Sequence, residues 1–259
     1  MLKKLIALLL VISAASAHAT SVSFLWGNNF RDDLGYEKEK LTMTVENFSV
    51  WEYGTVFFYF DLTEPFSDSN GDSNQYFGGI SPTFSFNKMF GWTFGGGILQ
   101  DVSIRLELEN GSGSGENNFR NYFYGLQYDL AVPGFDFFSF NTVLRDNPNS
   151  RSVGFQLGAF WQMSWDYGRW NRYKFTGFVA TSPWDGDIDP EDAHGGPYSP
   201  SKRGRYLTAQ PQFLYDLGYG LFGKPNRLEV GAEYGYFINR YQLMDKDEKV
   251  LQAMVKFTY

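Results

Sequence analysis

Apolar and polar residues alternate one for one along most of this chain. At the C-terminus Ala253, Val255, Phe257 and Tyr259 fall on one side of an extended strand, and Gln252, Met254, Lys256 and Thr258 on the other. Residues 102–109 alternate most cleanly of all, with Val102, Ile104, Leu106 and Leu108 set against Ser103, Arg105, Glu107 and Glu109. A period of two puts successive side chains on opposite faces of a strand. The pattern predicts about twelve strands. They cover 22–28, 41–46, a third whose apolar face is Val56, Phe58, Phe60 and Leu62, then 77–86, 102–109 and 122–130. The rest cover 135–145, 153–167, 173–181, 207–216, 228–236 and 251–259. Many approach the ~9–11 residues that a tilted strand needs to cross a bilayer.

The connectors carry a second regularity. Short ones (51–53, 87–89, 132–134, 168–171) alternate with long ones (29–40, 63–75, 110–118, 182–203) rich in Gly, Ser, Asn, Asp and Pro. Membrane barrels alternate periplasmic turns and extracellular loops in this way. Trp51, Trp165, Trp170 and Trp184 stand near strand ends, where an interfacial belt would hold them. A soluble sandwich or lipocalin-like barrel also alternates. Twelve strands with outward Phe, Leu, Val and Tyr would, however, aggregate in water. The expected fold is all-β: a single transmembrane antiparallel β-barrel of about twelve strands, monomeric, in the bacterial outer membrane.

Composition and charge sharpen this. Lys3 and Lys4 precede an apolar run over 5–12, and Ala17-His18-Ala19 forms a small-residue cleavage pattern. The apolar run is too short for a helical span of ~20 residues. Residues 1–19 are therefore expected to be a signal peptide and 20–259 the barrel domain. Hydrophobic residues make up 43% and aromatic residues 19% of the chain, with a mean hydropathy of −0.34. That combination suits a barrel in which only alternate residues meet lipid. The absence of cysteine excludes disulfides and thiolate metal sites. Losing Lys3 and Lys4 leaves 20 basic residues against 29 acidic ones, a mature charge of −9 that disfavours nucleic acid as a partner.

If the apolar face meets outer-membrane lipid, the alternate residues line a lumen. That wall carries aromatic residues (Phe57, Tyr59, Phe123 and Phe160) among carboxylates and amides, of which Glu46, Asp61, Gln127, Asn141, Glu229 and Glu233 are the candidates for solute contact. Stacking of a planar base on such a ring contributes ~1–3 kcal/mol, and the polar neighbours can bond sugar hydroxyls. The wall suits a neutral amphiphilic solute such as a nucleoside. An acidic oligosaccharide would instead need ladders of Lys and Arg.

Other chemistry is thin. After leader removal the single histidine, His194, lies in a loop, which argues against a barrel hydrolase. Neither a catalytic group nor a cofactor is expected. The acidic run 185–189 opens like a calcium loop, but Pro190 stands where the sharp-turn Gly belongs and the closing Glu is missing, so no metal site is expected. A loose cation bridge between these loop carboxylates and lipopolysaccharide stays open. The Gly-Ser run over 111–115 precedes no helix and reads as loop, not a phosphate cradle.

Several segments carry a family likeness. Ser81-Pro82-Thr83-Phe84-Ser85-Phe86-Asn87-Lys88 resembles a strand and turn of the Tsx-type nucleoside channels, as does Tyr124-Gly125-Leu126-Gln127-Tyr128-Asp129 followed by Pro133 and Asn141. Gln210-Pro211-Gln212-Phe213-Leu214-Tyr215-Asp216, and the ending from Asp247-Glu248-Lys249 to Lys256-Phe257-Thr258-Tyr259, are closer to the OmpK branch. The resemblance runs in order over the mature chain and implies a twelve-stranded outer-membrane barrel. It further implies passive passage of nucleosides and service as a phage receptor. Asp61 and Glu233 match the family pattern. Ser81 and Thr83 depart from it, because charged residues flank that proline in the family. Open alternatives are a channel for another small solute such as an oligosaccharide, and a structural or receptor barrel that conducts nothing.

Overall fold

The computed structural model describes residues 17–31, 37–66, 75–94, 96–112, 118–148, 153–184, 205–239 and 247–259. They contain thirteen strands. β1 (Ala17–Arg31), β2 (Glu37–Trp51), β3 (Gly54–Thr63) and β4 (Gln75–Ser85) lead into a short helix, α1 (Phe86–Phe90). β5 (Leu99–Ser112), β6 (Asn118–Leu130), β7 (Phe137–Asp146), β8 (Gly154–Asp166) and β9 (Arg172–Trp184) follow. β10 (Tyr206–Ala209) and β11 (Gln212–Asp216) precede α2 (Leu217–Phe222), and β12 (Leu228–Ile238) and β13 (Glu248–Thr258) end the chain.

Each strand pairs antiparallel with its sequence neighbour, and β1 pairs with β13, so the sheet closes on itself. β10 and β11 both lie between β9 and β12 and form one stave, which makes a ring of twelve. The stave breaks at Pro211, which has no N–H for the ladder. Gly177 sits opposite with φ 153°; a Cβ there would stand 2.5 Å from the Gln210 carbonyl oxygen. The break stays stitched, because Gln210 N–H donates to the Phe178 carbonyl (3.0 Å) and Tyr234 N–H to the Pro211 carbonyl (2.9 Å). Closure satisfies the backbone internally, as hydrocarbon demands.

The two faces of the sheet differ as the alternation predicts. On β5, Ile104 and Leu106 are each 41% exposed, whereas Arg105 between them is 6% exposed. Trp26, Tyr124, Leu144, Phe213, Leu251 and Phe257 continue the exposed apolar face around the ring. Inside, serines, Asn141, Glu229 and Glu233 are buried. Apolar outside and polar inside is the arrangement that lipid stabilises. The protein is a multi-pass outer-membrane β-barrel.

At the short-turn end the chain departs from expectation. Residues 87–89 were expected to make a tight turn, yet the connection runs from Phe86 to Ile98 and includes α1. The Ser85 side chain accepts from Lys88 N–H as N-cap, and Gly91 stops the helix at φ 68°. Residues 1–16, most of the expected leader, lie outside the described residues. So do 185–204, with the acidic run and His194, and the centres of the other long connections.

Candidate functional site: the lumen wall

The lumen has two chemically distinct walls. One is built by β2, β13, β12 and β9. Lys256 Nζ lies 2.5 Å from Glu46 Oε2, to which the Ser21 hydroxyl also donates (3.2 Å). Glu229 stands opposite Lys256 in register, and its Oε1 is 2.7 Å from Lys174 Nζ. Glu46, Lys256, Glu229 and Lys174 thus alternate in sign along the wall. Glu233 accepts from the amides of Gln210 (3.0 Å), Gln212 (2.8 Å) and Gln252 (2.9 Å). Beside these charges Leu25, Leu214 and Met254 make a small buried apolar cluster facing inward. Leu214 and Met254 flank Gly231 in register, and a Cβ on Gly231 would stand 2.0 Å from the Phe213 carbonyl oxygen, so glycine allows the close backbone approach there.

The other wall runs over β3 to β8. Tyr59 lies across Gly79 and donates to Glu109 Oε1 (3.0 Å), while Asn121 donates to Glu109 Oε2 (3.1 Å). A Cβ on Gly79 would stand 2.8 Å from the Tyr59 ring, so glycine is what allows this crossing. Phe57 stacks on Tyr59 with centroids 5.8 Å apart, and Asp61 accepts from the Thr44 hydroxyl (2.6 Å). Arg105 donates to Ser81 (3.0 Å), Gln127 (2.9 Å) and Glu107 (2.7 Å). Its guanidinium also stands 5.0 Å from the centroid of Phe160, three staves away on β8. Arg145 on β7 reaches the ring of Tyr206 on β10 in the same manner, at 5.5 Å. These arms extend over the inner surface, bridging strands that do not pair.

All ten residues expected to contact solute take inward registers. The structure gathers Gln127, Asn141 and Phe160 into one region: Gln127 pairs across with Asn141, Asn141 with Gly158, and Phe160 is the next inward residue on β8. Phe123 lies between Glu107 and Arg145 in register and is 3% exposed. Glu46 and Glu229 belong to the alternating-charge wall, Glu233 to its amide cradle, and Phe57, Tyr59 and Asp61 to β3. The candidate set omitted Arg105, Arg145, Lys174, Lys256, Phe178 and Tyr206. Four of these were legible as inward residues from alternation, but their reach across the barrel was not.

Buried acceptors stand on both walls. Asn141 Oδ1, Glu229 Oε2 and Gln252 Oε1 have no donor among the described residues. A buried acceptor left unbonded costs ~1–3 kcal/mol. A water held in the wall, or a small side-chain shift toward the lumen, removes that penalty. No protein-family model and no curated protein matches the chain. Solved barrels of similar shape include the KdgM porin in complex with disordered oligogalacturonate, at 10% identity and TM-score 0.45, covering 92% of this chain and 99% of that one. The NanC porin covers 92% and 98% at 8% identity and TM-score 0.47. A BenF-like porin from Pseudomonas fluorescens Pf-5 covers 95% and 98% at 8% identity and TM-score 0.41. At such identities each neighbour's solute is a property of that neighbour.

Proposed function

We propose that this barrel is an outer-membrane channel for passive diffusion of small neutral solutes that combine a planar ring with hydroxyl or amine donors, nucleosides foremost. The observation that carries this reading is the closeness in register of Asn141, with its unbonded Oδ1, to the Phe160 ring and the Gln127 amide. A base can displace the Arg105 guanidinium from one face of Phe160 and stack there. A rotation of the Asn141 amide, 1% exposed where it stands, then brings it within reach of the sugar hydroxyls or exocyclic amine. Transport needs no covalent step; a weak site only raises the local solute concentration.

Charge favours a neutral solute. Arg105, Lys174 and Lys256 each sit against a carboxylate within 2.7 Å, so none of the three serves as a free basic rung for an acidic oligosaccharide. In this proposal the leader 1–19 is removed, the barrel works as a monomer, and its extracellular connections form the surface a phage would meet.

A liposome-swelling assay tests the reading. Vesicles carrying the folded barrel should swell faster in adenosine than in sucrose or in a galacturonate oligomer of similar mass. Equal rates for all three would discard the nucleoside preference and keep the pore. Swelling in none would give the barrel a structural or receptor role.

A further inference from the structure

The short-turn rim repeats itself. The turn between β2 and β3 reads Trp51-Glu52-Tyr53-Gly54, and the turn between β8 and β9 reads Trp165-Asp166-Tyr167-Gly168. Further along each half, an outward proline is followed two residues later by an outward phenylalanine: Pro82 and Phe84 in the first, Pro211 and Phe213 in the second. Each run enters a short helix through a capping side chain. Ser85 accepts from Lys88 N–H (3.0 Å) and Asp216 from Tyr219 N–H (2.9 Å). Each helix stops at a left-handed glycine, Gly91 with φ 68° or Gly223 with φ 67°.

Each helix is also tied to the neighbouring turn of the rim by a cation on backbone carbonyls. In the first half Lys88 Nζ, on α1, donates to the carbonyls of Trp51 and Gly54, both at 3.1 Å. In the second half Arg169 Nε, in the turn, donates to the Gly220 carbonyl of α2 at 2.8 Å. The contact is the same with donor and acceptor segments exchanged. α1 follows the fourth stave and α2 the tenth, so in a ring of twelve they stand at opposite ends of a diameter.

Both caps hold large apolar side chains away from the protein. Phe90 is 56% and Trp92 53% exposed on the first, and Leu221 is 50% and Phe222 64% exposed on the second. The first patch continues the lipid-facing band. Phe84 meets Trp51 at 5.5 Å, and beyond it Phe86, Phe90 and Trp92 contact one another at 5.2–6.0 Å. Residues 86–98 and 217–227 contain no carboxylate, and each segment carries at least one lysine. Aromatic rings beside a cation are suited to the phospholipid headgroup boundary; the nearby carboxylates Glu52 and Asp166 stand in the adjoining turns, not on the caps.

We propose that the two caps are paired anchors in the periplasmic leaflet, set across the barrel by an internal repeat of six staves, and that they hold the barrel upright. Two contacts at opposite ends of a diameter resist tilt about the axis perpendicular to it, which one contact does not. The partner is the phospholipid surface itself.

Trp92→Phe isolates the Trp92 emission by difference in barrels reconstituted into phosphatidylethanolamine–phosphatidylglycerol vesicles. The Trp92 signal should lose most of its intensity to nitroxide lipids labelled near the carbonyls, and little to aqueous iodide. Iodide quenching without lipid quenching would overturn the proposal and leave the caps to a soluble partner. A second measurement is independent of tryptophan. The double variant Phe90→Asp/Phe222→Asp, checked for folding by its gel shift on heating, should lower the infrared dichroism of the strands in oriented bilayers. Each single variant should do so less. Unchanged dichroism in the folded double variant would also overturn the proposal.

Discussion

The wall formed by β2, β13, β12 and β9 and the wall formed by β3 to β8 use charge in different ways. On the first, carboxylates and ammonium groups alternate along the wall, and the two lysines meet carboxylates at 2.5–2.7 Å. Such pairs neutralise one another and fix each other's side chains, so they define the shape of the lumen more than they attract anything. On the second, Arg105 bonds Glu107, Ser81 and Gln127 at its edges and covers Phe160 with its face. A guanidinium over a ring is a contact a planar solute can replace, since both present a flat π-compatible surface. On the proposed function, the difference gives the first wall a structural role and the second the selectivity.

The largest expected effect is on the second wall. Phe160→Ala removes the stacking face, worth ~1–3 kcal/mol, so adenosine affinity measured by current noise should fall roughly five- to 150-fold. Folding should persist, because the ring faces the lumen. Unaltered affinity would move the site away from β8. On the first wall, Lys256→Met deprives Glu46 of its 2.5 Å partner. Stability should drop by ~1–3 kcal/mol in urea unfolding, and the reversal potential should shift toward cation selectivity. Adding Glu46→Gln should restore most of both; a double variant as weak as the single would mean that the pair does not hold the wall.

Smaller effects fall on the β3–β5 part of the second wall. Gly79→Ala places a Cβ 2.8 Å from the Tyr59 ring and lifts Tyr59 from Glu109, a loss of ~0.5–1.5 kcal/mol for one hydrogen bond. Tyr59→Phe should cost a similar amount, and the two together little more. Full additivity in a denaturation cycle would show that they act separately. Asp61→Ala is the mildest. Its carboxylate accepts only from Thr44 among the bonds described, so nucleoside flux should fall modestly while ion conductance and folding hold.

Much of this architecture was legible in the sequence because a period of two is a local property. Arg105 faces inward simply because Ile104 and Leu106 face outward, and the same holds for Glu46, Tyr59 and Glu233. The twelve-stave count followed from the alternating strands and connectors. Contacts across the ring were not legible. That Arg105 meets Phe160, or Arg145 meets Tyr206, depends on closure and side-chain reach between staves that never pair. The inward cluster of Leu25, Leu214 and Met254 breaks the polar-inside rule beside Gly231. α1 was missed because Asn87-Lys88-Met89 reads as a short connector after an alternating strand, while Ser85 and Gly91 dictate a capped helix. The paired tetrapeptides at Trp51 and Trp165 were a signal of the six-stave repeat visible in the sequence itself.

The most direct test of the selective wall is the ion current of single barrels in planar bilayers, titrated with adenosine in the unaltered protein and in Phe160→Ala. Saturable block by adenosine but not by sucrose, weakened strongly by the substitution, is the predicted result. Steady conductance without block in either protein would contradict a stacking site in the lumen.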